Sequence, residues 1–591
     1  MACVPLRSSL RWRRLAEPQI ISPEPALNLE RIMLLARQGW ALARPFARRH
    51  KRELWVLFAI LAVLLGPFLL RPASGNAATR HDRRLVIMTP HHESIRREFG
   101  QAFAKQWKEK TGETLYIDWR VAGTAELRMI VASDFVGAFE YYWRGTLKRL
   151  WSDEIGREFL NPKAAADNEA RAEFMKSNVG IGADVFFGGG AYDFEKLAAA
   201  GFLVASDPAT GAGLARLKEK HPEWFNDESL AAKVGGETYY DPSLRWCGTA
   251  LSSFGIVYNR DVLKRLGIEK EPEHWSDLAD PRLFGQIALS DPSKSSSVAK
   301  AFEMLIQEQM QQAIDRLKHK PGQMLSAEKI EEAGVREGWI KGLALIQRIC
   351  ANTRYFTDAS TKIPLDVAKG DSAAGMCIDF YGRSSEEEVR KEDGTSRVGF
   401  IAPVGGTAIS VDPIAMMRGA AEPELAEAFI EFVLSDAGQR LWNFKPGAPG
   451  GPQKHALRRL PVRKDIYSPA NLAHMTDAKE LPFEKAKAFT YHPEWTASSI
   501  NIIAFLVRVM AVDSHHELRT AWEAVMKGGM NPRALEHMQQ LQLINYDSVR
   551  TDIGPVLAAR DKVKEVREAR LLTDLFRRSY ADAVKFSRAK H

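Results

Sequence analysis

The sequence predicts an α/β protein of two lobes joined by crossing strands, and three observations support this prediction. Strand-like and helix-like stretches alternate from residue 85 onward, which is the pattern of parallel sheets covered by helices. A second series of the same kind begins near residue 286. Two long extended stretches, Arg245–Asn259 and Gly399–Met417, lie where they can link the two series as a hinge.

The first series opens with a short apolar strand, Leu85–Met88. Pro90 cannot extend this strand, because proline has no N–H group for a ladder. An amphipathic helix is predicted next, since apolar residues recur every four positions over Ile95–Trp107. The polar stretch His91–Ser94 is therefore a strand-to-helix loop, which in open α/β sheets borders the ligand crevice.

The later elements follow from the same patterns. The first series continues with a strand within Thr114–Gly123, a short helix near Leu127–Val131, a charged, mostly helical insert at 135–176 and a strand at Ala183–Gly190. The second series has a strand at Gln286–Leu289, a helix from about Ser297 to Gln309, and a strand within Ala373–Gly382 with a loop starting near Tyr381. The C-terminal part is predicted to be helical over Pro423–Trp442 and again over 496–591.

Composition and charge indicate an exported globular protein. The 591 residues are 45% hydrophobic and 26% charged, an ordinary globular mixture. One long uncharged apolar run, Leu54–Leu70, follows a leader with 11 Lys/Arg and 4 Asp/Glu, a net charge of +7 out of +8 for the whole chain. Positive flanks stay cytoplasmic, so everything after residue 71 is expected outside the inner membrane, with the segment either cleaved or kept as an anchor. Because the rest of the chain is nearly neutral, the positive net charge of the whole chain does not indicate nucleic-acid binding.

These patterns predict six consecutive parts. They are a basic cytoplasmic leader (1–53), a transmembrane or signal segment (54–70), a first lobe (83–250), a second lobe (251–400), a return crossover with helices (401–490) and a C-terminal helical extension (491–591).

Three cysteines lie beyond the leader, at Cys247, Cys350 and Cys377, in a compartment expected to be oxidising. Their spacing predicts no pairing. Two alternatives stay open for these cysteines: one disulfide with one buried thiol, or three buried thiols.

Several segments resemble, in order and spacing, an extracellular solute-binding protein of a bacterial ABC importer, in the group of ferric-iron, polyamine, thiamine and phosphonate receptors. Besides the leader they are Ala183–Val204, Trp246–Asn259, His274–Ser297 and Ala426–Trp442, within residues 83–465. The resemblance implies a type II periplasmic-binding-protein fold, in which two α/β lobes with crossing strands close on a ligand. It also implies a permease in the inner membrane as partner.

The loop after the first strand holds the first candidate ligand contacts, His91, His92 and Glu93. The resemblance implies a role here, because ferric receptors place a histidine ligand at this point, and imidazole and carboxylate suit a metal. The alternative is a solvated loop in which Glu93 or Ser94 caps the following helix.

The strand near residue 378 leads to a second group of candidates, Asp379 and Tyr381, on either side of Phe380. The iron receptors of this group carry paired tyrosines there, and only one tyrosine remains in this chain. If the ligand is ferric iron, the resemblance implies His92 and Tyr381 as metal ligands. The missing second tyrosine weakens that interpretation.

The loop after the third strand is a run of glycines, Gly188, Gly189 and Gly190. An acidic ligand would be expected there in an iron receptor, so this is a second departure from the pattern. Glycines allow backbone N–H groups to approach an anion closely. A tight turn explains them equally well.

Three consecutive serines, Ser295, Ser296 and Ser297, precede a predicted helix. Their hydroxyl and N–H groups could hold a phosphate, a phosphonate, a carboxylate or a carbonate that accompanies a metal. A helix N-cap would need only one of them. Arg383 could add a bidentate charge, or it could form a surface ion pair.

The leading hypothesis is a non-enzymatic, monomeric binding protein without a cofactor. Its ligand would be a small oxyanion-bearing solute or a ferric ion with an anion, captured between closing lobes and delivered to a permease. One alternative is an enzyme on the same fold, a transferase or metal-dependent hydrolase, although the chain has no GxSxG, HExxH, Walker-type loop or paired CxxC. Another is a membrane-tethered ligand sensor.

Overall fold

The computed structural model describes residues 81–165, 167–322, 324–559 and 561–588. The predicted leader and the apolar segment Leu54–Leu70 lie outside these residues. The described β-strands are, in chain order, β1 Arg83–Thr89, β2 Leu115–Val121, β3 Val185–Phe187, β4 Leu203–Val204, β5 Lys233–Val234, β6 Glu237–Thr238, β7 Cys247–Ser252, β8 Phe254–Asn259, β9 Ile287–Ser290, β10 Thr353–Thr357, β11 Ala374–Ile378, β12 Val398–Ile401, β13 Ser410–Met417 and β14 Leu460–Pro461.

The described α-helices are α1 Glu93–Thr111, α2 Thr124–Gly145, α3 Asp153–Leu160, α4 Glu169–Lys176, α5 Ala191–Ala200, α6 Leu214–Lys220, α7 Arg260–Arg265, α8 Ser296–Lys318, α9 Ala327–Ala351, α10 Lys362–Lys369, α11 Asp379–Glu388, α12 Pro423–Leu434, α13 Asp436–Asn443, α14 Pro469–Leu472, α15 Pro482–Lys485, α16 Pro493–Thr496, α17 Ile500–Val507, α18 His515–Lys527, α19 Pro532–Met538, α20 Tyr546–Ser548, α21 Gly554–Ala558 and α22 Lys562–Arg588.

Two sheets form the centres of two lobes. The first has the strand order β14-β7-β13-β3-β1-β2, with β4 attached to β13, and β1 runs parallel to both β2 and β3. The second has the order β10-β9-β11-β8-β12, and β9 runs parallel to β10 and β11. Each lobe therefore combines parallel strands with antiparallel ones, and the two-lobed α/β prediction is confirmed.

The antiparallel strands are the connections between the lobes. β7 belongs to the first sheet and β8 to the second, and only Ser253 separates them. In the same way β12 of the second sheet leads through residues 402–409 to β13 of the first. The stretches Arg245–Asn259 and Gly399–Met417 thus cross between the lobes, as the sequence predicts.

The C-terminal helices extend the core of the second lobe. Buried apolar residues from Trp495 to Ala583 pack in one cluster with those of α8 and α9. The described residues include one helical stretch long and apolar enough to cross a membrane, Pro493–Val512, but 72% of its apolar window is buried within the protein. It is a core element of this lobe.

Two helices are longer than the sequence predicts. α2 continues to Gly145, into the region assigned to a charged insert, because buried apolar residues recur every four positions from Leu127 to Trp143. α8 likewise continues to Lys318. In both cases the apolar face was present in the sequence beyond the predicted end.

The predicted loop near Tyr381 is instead a helix. β11 ends at Ile378 and α11 begins at Asp379, so Asp379 and Tyr381 occupy its first turn. The Asp379 carboxylate accepts the N–H of Phe380 at 2.8 Å, which satisfies a donor that a helix start leaves free.

The cysteines are free and buried at Cys247, Cys350 and Cys377. Of the two alternatives, three buried thiols is therefore correct. Burial raises the pKa of all three thiols, which leaves them protonated and poor nucleophiles.

Helices α8 and α9 pack closely because α9 carries glycines at one-turn intervals, Gly334, Gly338 and Gly342. A Cβ atom at Gly338 would lie 2.2 Å from the Cα of Met310 on α8. Hydrogen is thus the only side chain this crossing accepts without movement of a backbone.

We expect Gly338→Ala to destabilise the protein by about 1–3 kcal/mol, because the added methyl group would force the two helices apart. The matched control is Gly137→Ala in α2, where the Cβ would meet nothing within 4 Å. There the same change should stabilise the helix by up to about 1 kcal/mol. Urea unfolding of both variants measures the two effects, and equal midpoints would contradict the close crossing.

Candidate ligand-binding cleft

A cavity of about 170 Å³ lies between the two lobes. The first lobe contributes the start of α5 and residues of β7 and β13, and the second contributes the starts of α8 and α11. The crossing strands therefore run directly beside the cavity. Any change of angle between the lobes would change its width.

Helices α5 and α8 begin at opposite walls of this cavity. Gly190, which precedes α5, and Ser296, the first residue of α8, both line it. No side chain caps α5 at Gly190. Because the first N–H groups of a helix have no partner within it and carry the positive end of its dipole, both lobes direct donors and positive potential into one space.

The three predicted serines have different roles. Ser295 is the N-cap of α8, and its hydroxyl accepts the N–H of Val298. Ser296 and Ser297 line the cavity, and their hydroxyls have no hydrogen-bond partner in the part of the chain that the structure describes. These two hydroxyls are available to a ligand.

The glycine run packs tightly against the side chains of His91 and Thr124. Gly188 and Gly189 have φ angles of +91° and +115°, which L residues with side chains rarely adopt. A Cβ at Gly188 would lie 2.3 Å from Nε2 of His91, and one at Gly189 would lie 2.7 Å from Cγ2 of Thr124. The glycine run therefore determines the backbone path that leads into the first turn of α5. Gly189 and Gly190 line the cavity, and Gly188 is buried behind them.

Arg459 is the main cleft residue that the sequence analysis missed. Its side chain is 1% exposed and lines the cavity. The guanidinium contacts Asp412 at 2.5 Å, donates to the hydroxyl of Ser252, and lies 4.4 Å from the ring centre of Phe380. The guanidinium holds its N–H donors in a fixed planar fork, and the ring of Phe380 adds an aromatic face beside it. This arrangement suits the recognition of a polar solute.

The segment that carries Arg459 is held from the other side by Glu98. This buried carboxylate on α1 accepts the N–H groups of Gln453, Lys454 and His455 at 2.7, 3.0 and 2.9 Å. Three N–H bonds to one carboxylate are charge-assisted and fix the loop on the first lobe.

Arg458 is held at a positive φ of 54°, which is uncommon for a residue with a side chain. Its guanidinium forms a forked contact with Asp477 and reaches Glu387 of α11 at 3.1 Å. The strained backbone thus turns Arg458 toward the second lobe while Arg459 faces the cavity. Such strain persists where surrounding contacts determine the conformation.

A second charged group lies on the cavity wall at Lys300, one turn into α8. Its ammonium contacts Glu303 at 3.1 Å and Glu237, on β6, at 3.3 Å. Burial alone would lower the pKa of Lys300, but the two carboxylates outweigh burial, and the pKa is raised. Tyr491 donates to Glu303 at 2.9 Å, and its N–H donates to the carbonyl of Gly235 at 2.7 Å. The chain after β14 therefore touches both lobes here.

The two adjacent histidines point to different places. His91 is 4% exposed, lines the cavity and packs against Phe187 and Trp442. Burial, with Arg459 and Arg96 nearby, lowers its pKa well below the ordinary value, so the ring is neutral. His92 is exposed and caps α1 by accepting the N–H of Ser94, a role the sequence analysis gave to Glu93 or Ser94.

His92 and Glu93 line a neighbouring groove, which shares Pro90, His91, Phe380 and Tyr381 with the cavity. Neither of the two lines the cavity itself. Phe380 and Tyr381 therefore stand between the cavity and the groove, and both residues line both spaces.

The remaining predicted residues of α11 divide between the cavity and the protein interior. Burial raises the pKa of Tyr381, whose phenol stays protonated. Asp379 and Arg383 are buried but do not line the cavity. Arg383 contacts Glu480 at 3.0 Å and Asp379 at 3.8 Å, so it acts as an internal ion-pair partner.

Metal-ligating side chains do not converge in the part of the chain that the structure describes. No group of three or more His, Cys, Asp or Glu residues there could hold a metal ion. In the cleft, His91 and Tyr381 are the predicted candidates that face the cavity, while His92 does not.

Comparisons with curated proteins give distant relatives. An uncharacterized protein of Haemophilus influenzae is 24% identical over 272 residues, which cover 46% of this chain and 63% of the relative. The phosphoglycerate transport regulatory protein PgtC of Salmonella typhimurium is 23% identical over 192 residues, covering 32% and 39%. The chain thus spans less than two thirds of the length of these relatives.

Solved structures with a similar arrangement include periplasmic binding proteins. AfuA from Actinobacillus pleuropneumoniae, with bound fructose-6-phosphate, has 18% identity and a TM-score of 0.41, covering 71% of this chain and 99% of AfuA. Iron-bound HitA from Pseudomonas aeruginosa has 16% identity and a TM-score of 0.40, covering 71% and 98%. At these TM-scores neither structure bears on the ligand of this chain.

The family comparison concerns the centre of the chain. Residues 166–450 match the family described as bacterial extracellular solute-binding protein. This range includes the third strand with its glycine run, both crossing connections, and the starts of α5, α8 and α11. The centre of this chain is therefore similar to the bacterial extracellular solute-binding proteins.

Proposed function

We propose that this protein is the substrate-binding component of an ABC-type importer that captures a small oxyanion-bearing solute between its lobes. One observation carries the proposal: the N-termini of α5 and α8, from opposite lobes, face the same cavity. An anion held between two helix starts gains from both only when the lobes are close. Ligand binding and lobe closure would therefore be coupled.

The other cavity groups support an organic rather than an inorganic oxyanion. Ser296 and Ser297 offer free hydroxyls to the anionic group. Asp412 and Glu237 supply carboxylates that can accept from ligand hydroxyls, and Phe380 supplies an apolar face. The name of the Salmonella relative, a phosphoglycerate transport regulatory protein, agrees with a ligand of this chemistry.

A ferric ion accompanied by an anion is the second candidate ligand. His91 and Tyr381 face the cavity, and imidazole and phenolate are known types of iron ligand. His92, which the family resemblance implies as a metal ligand, lies in the neighbouring groove. A single tyrosine and a neutral buried histidine form a sparse ligand set, so the oxyanion is favoured.

Closure would be stabilised by ion pairs that join the lobes. Lys300 of α8 contacts Glu237 of β6 beside the cavity, and Arg458 before β14 contacts Glu387 of α11 beside the groove. These contacts lie on two sides of Phe380 and Tyr381. The closed form would then dock on a permease of the inner membrane, in the periplasm, as a monomer and without catalysis.

The enzyme alternative receives less support. The neutral, buried His91 packs against aromatic rings, and its Nε2 has no hydrogen-bond partner in the described residues, so no base–nucleophile pair is formed there. A membrane-tethered sensor would rely on the segment Leu54–Leu70, which lies outside the described residues. We therefore assign the cleft to recognition and transport.

The ligand class can be tested with the double variant Ser296→Ala/Ser297→Ala. Each lost hydrogen bond to a charged group costs about 1.5–3 kcal/mol, so affinity for phosphoglycerate should fall at least tenfold. His92→Ala is the matched control and should bind as the parent does. Calorimetric titration with inorganic phosphate, phosphoglycerate and ferric citrate provides the measurement. The oxyanion proposal fails if His92→Ala abolishes ferric binding while the serine variant retains it.

Lobe closure can be tested with Glu387→Gln, which removes the partner of Arg458 across the lobes. Because Glu387 is 47% exposed, the pair is worth about 1 kcal/mol or less, and affinity should fall by at most about fivefold. Glu388→Gln makes the same charge change on the same helix turn and should bind normally. Small-angle scattering should show a smaller radius of gyration with saturating phosphoglycerate. An unchanged radius in the parent would argue against a hinge.

A further inference from the structure

We propose that the second lobe carries a separate binding site for small organic monocarboxylates, centred on Arg348. The site is a cavity of about 430 Å³ that shares no lining residue with the cleft among the described residues. It lies between α7, the segment from Ile268 to Leu283, and the C-terminal half of α9. The proposal does not depend on the ligand of the cleft.

Arg348 is a charged side chain without a counter-ion. It makes no ion pair and no side-chain hydrogen bond in the described part of the chain, and its Nε atom is buried without a partner. By contrast Arg282, at the same cavity, is held by Asp280 at 2.6 Å and by the carbonyl of Gly267 at 2.8 Å. Burial lowers the pKa of Arg348, and no neighbouring charge contributes to the shift. A partly buried cation of this kind is unfavourable until an anion pairs with it.

The carboxylates of the cavity are already engaged. Glu271 contacts Arg260 at 2.6 Å and accepts from Tyr258. Asp277 accepts the N–H groups of Glu273 and His274 at 2.8 Å each. With Asp280 bound to Arg282, each acid that lines the cavity has its own partner. None is free to neutralise Arg348, so the missing anion would come from solution.

The charged groups of the cavity wall restrict the charge of the occupant. Glu271, Asp277 and Asp280 line the cavity, and so do the cations Arg282 and Lys270, which are paired with Asp280 and Glu273. Arg348 is the one cation of the cavity wall without an ion-pair partner in the described residues, so it can balance a single negative charge. A single carboxylate can take both N–H donors of one edge of the guanidinium. This combination favours a monocarboxylate over phosphate or citrate.

The walls of the cavity favour an apolar body on that carboxylate. Leucines from three segments line the cavity. They are Leu263 of α7, Leu278 and Leu283 of the connecting segment, and Leu345 of α9. Leu345 lies one turn before Arg348, so apolar wall and charge stand side by side on one helix face. Each CH2 group buried there should strengthen binding about fourfold.

The test titrates the full chain with acetate, butyrate and hexanoate in turn. Ligand-observed NMR measures the binding of each acid. Hexanoate should bind about fifteenfold more tightly than butyrate, since it buries two more CH2 groups. Arg348→Met keeps an unbranched apolar side chain and removes the guanidinium with its charge, and it should weaken hexanoate binding at least tenfold. Arg265→Met, at an exposed residue of α7 that does not line the cavity, is the matched control and should change binding by less than threefold.

Two further variants separate this site from folding defects and from the cleft. Ser276→Trp adds bulk at an exposed position of the cavity wall without a change of charge, and it should also block hexanoate. Arg459→Met alters the cleft and should leave hexanoate binding unchanged. The proposal is overturned if Arg348→Met binds hexanoate as the parent does, if Arg459→Met abolishes binding, if inorganic phosphate binds more tightly than hexanoate, or if hexanoate does not bind up to its solubility limit.

Discussion

The buried ion pair between Arg459 and Asp412 is the contact on which the architecture of the cleft depends. Asp412 belongs to β13 and Ser252 to β7, so the guanidinium joins one strand of each crossing connection. Phe380, from the second lobe, covers its face. Because a buried charge is tolerated only while it remains paired and hydrogen-bonded, each of these segments must keep its position for the others to keep theirs. The crossing connections and the cavity are therefore parts of one electrostatic unit.

The constraint extends outward through the residues next to Arg459. Glu98 holds the preceding loop on α1 by three N–H bonds, and the strained backbone of Arg458 directs a second guanidinium to Asp477 and Glu387. The first lobe thus determines where Arg459 stands, and the second lobe meets it through α11. A substitution at Glu98, on the back of the loop, would alter the cleft without touching it. This explains how a short segment far along the chain completes a site built mainly from residues 90–412.

The sequence predicts the elements of this fold better than its site. Strands, crossing connections and most helices follow from apolar periodicity, which is a local property of the chain. The helix α2 was underestimated because its apolar face continues under charged residues that resemble an insert. Which of two adjacent histidines faces inward could not be predicted, since Pro90 ends the strand and no period carries across the loop. Arg459 gave no local signal at all, because its partners Ser252 and Asp412 are supplied by distant parts of the chain.

The distribution of partners in the cleft indicates which groups would bind and which would select. Arg459 is paired with Asp412 and Lys300 with Glu237 and Glu303, so an anionic ligand cannot use either cation without competing with a carboxylate. The start of α8 and the hydroxyls of Ser296 and Ser297 have no such competitor in the described residues. At the start of α5 the carboxylate of Asp193 also lines the cavity, with Arg128 at 3.6 Å. An oxyanion would therefore gain most of its binding free energy from uncharged donors. The ion pairs would then contact the rest of the solute. Their carboxylates would accept hydrogen bonds from its hydroxyl groups, and the paired charges would disfavour a second charged group.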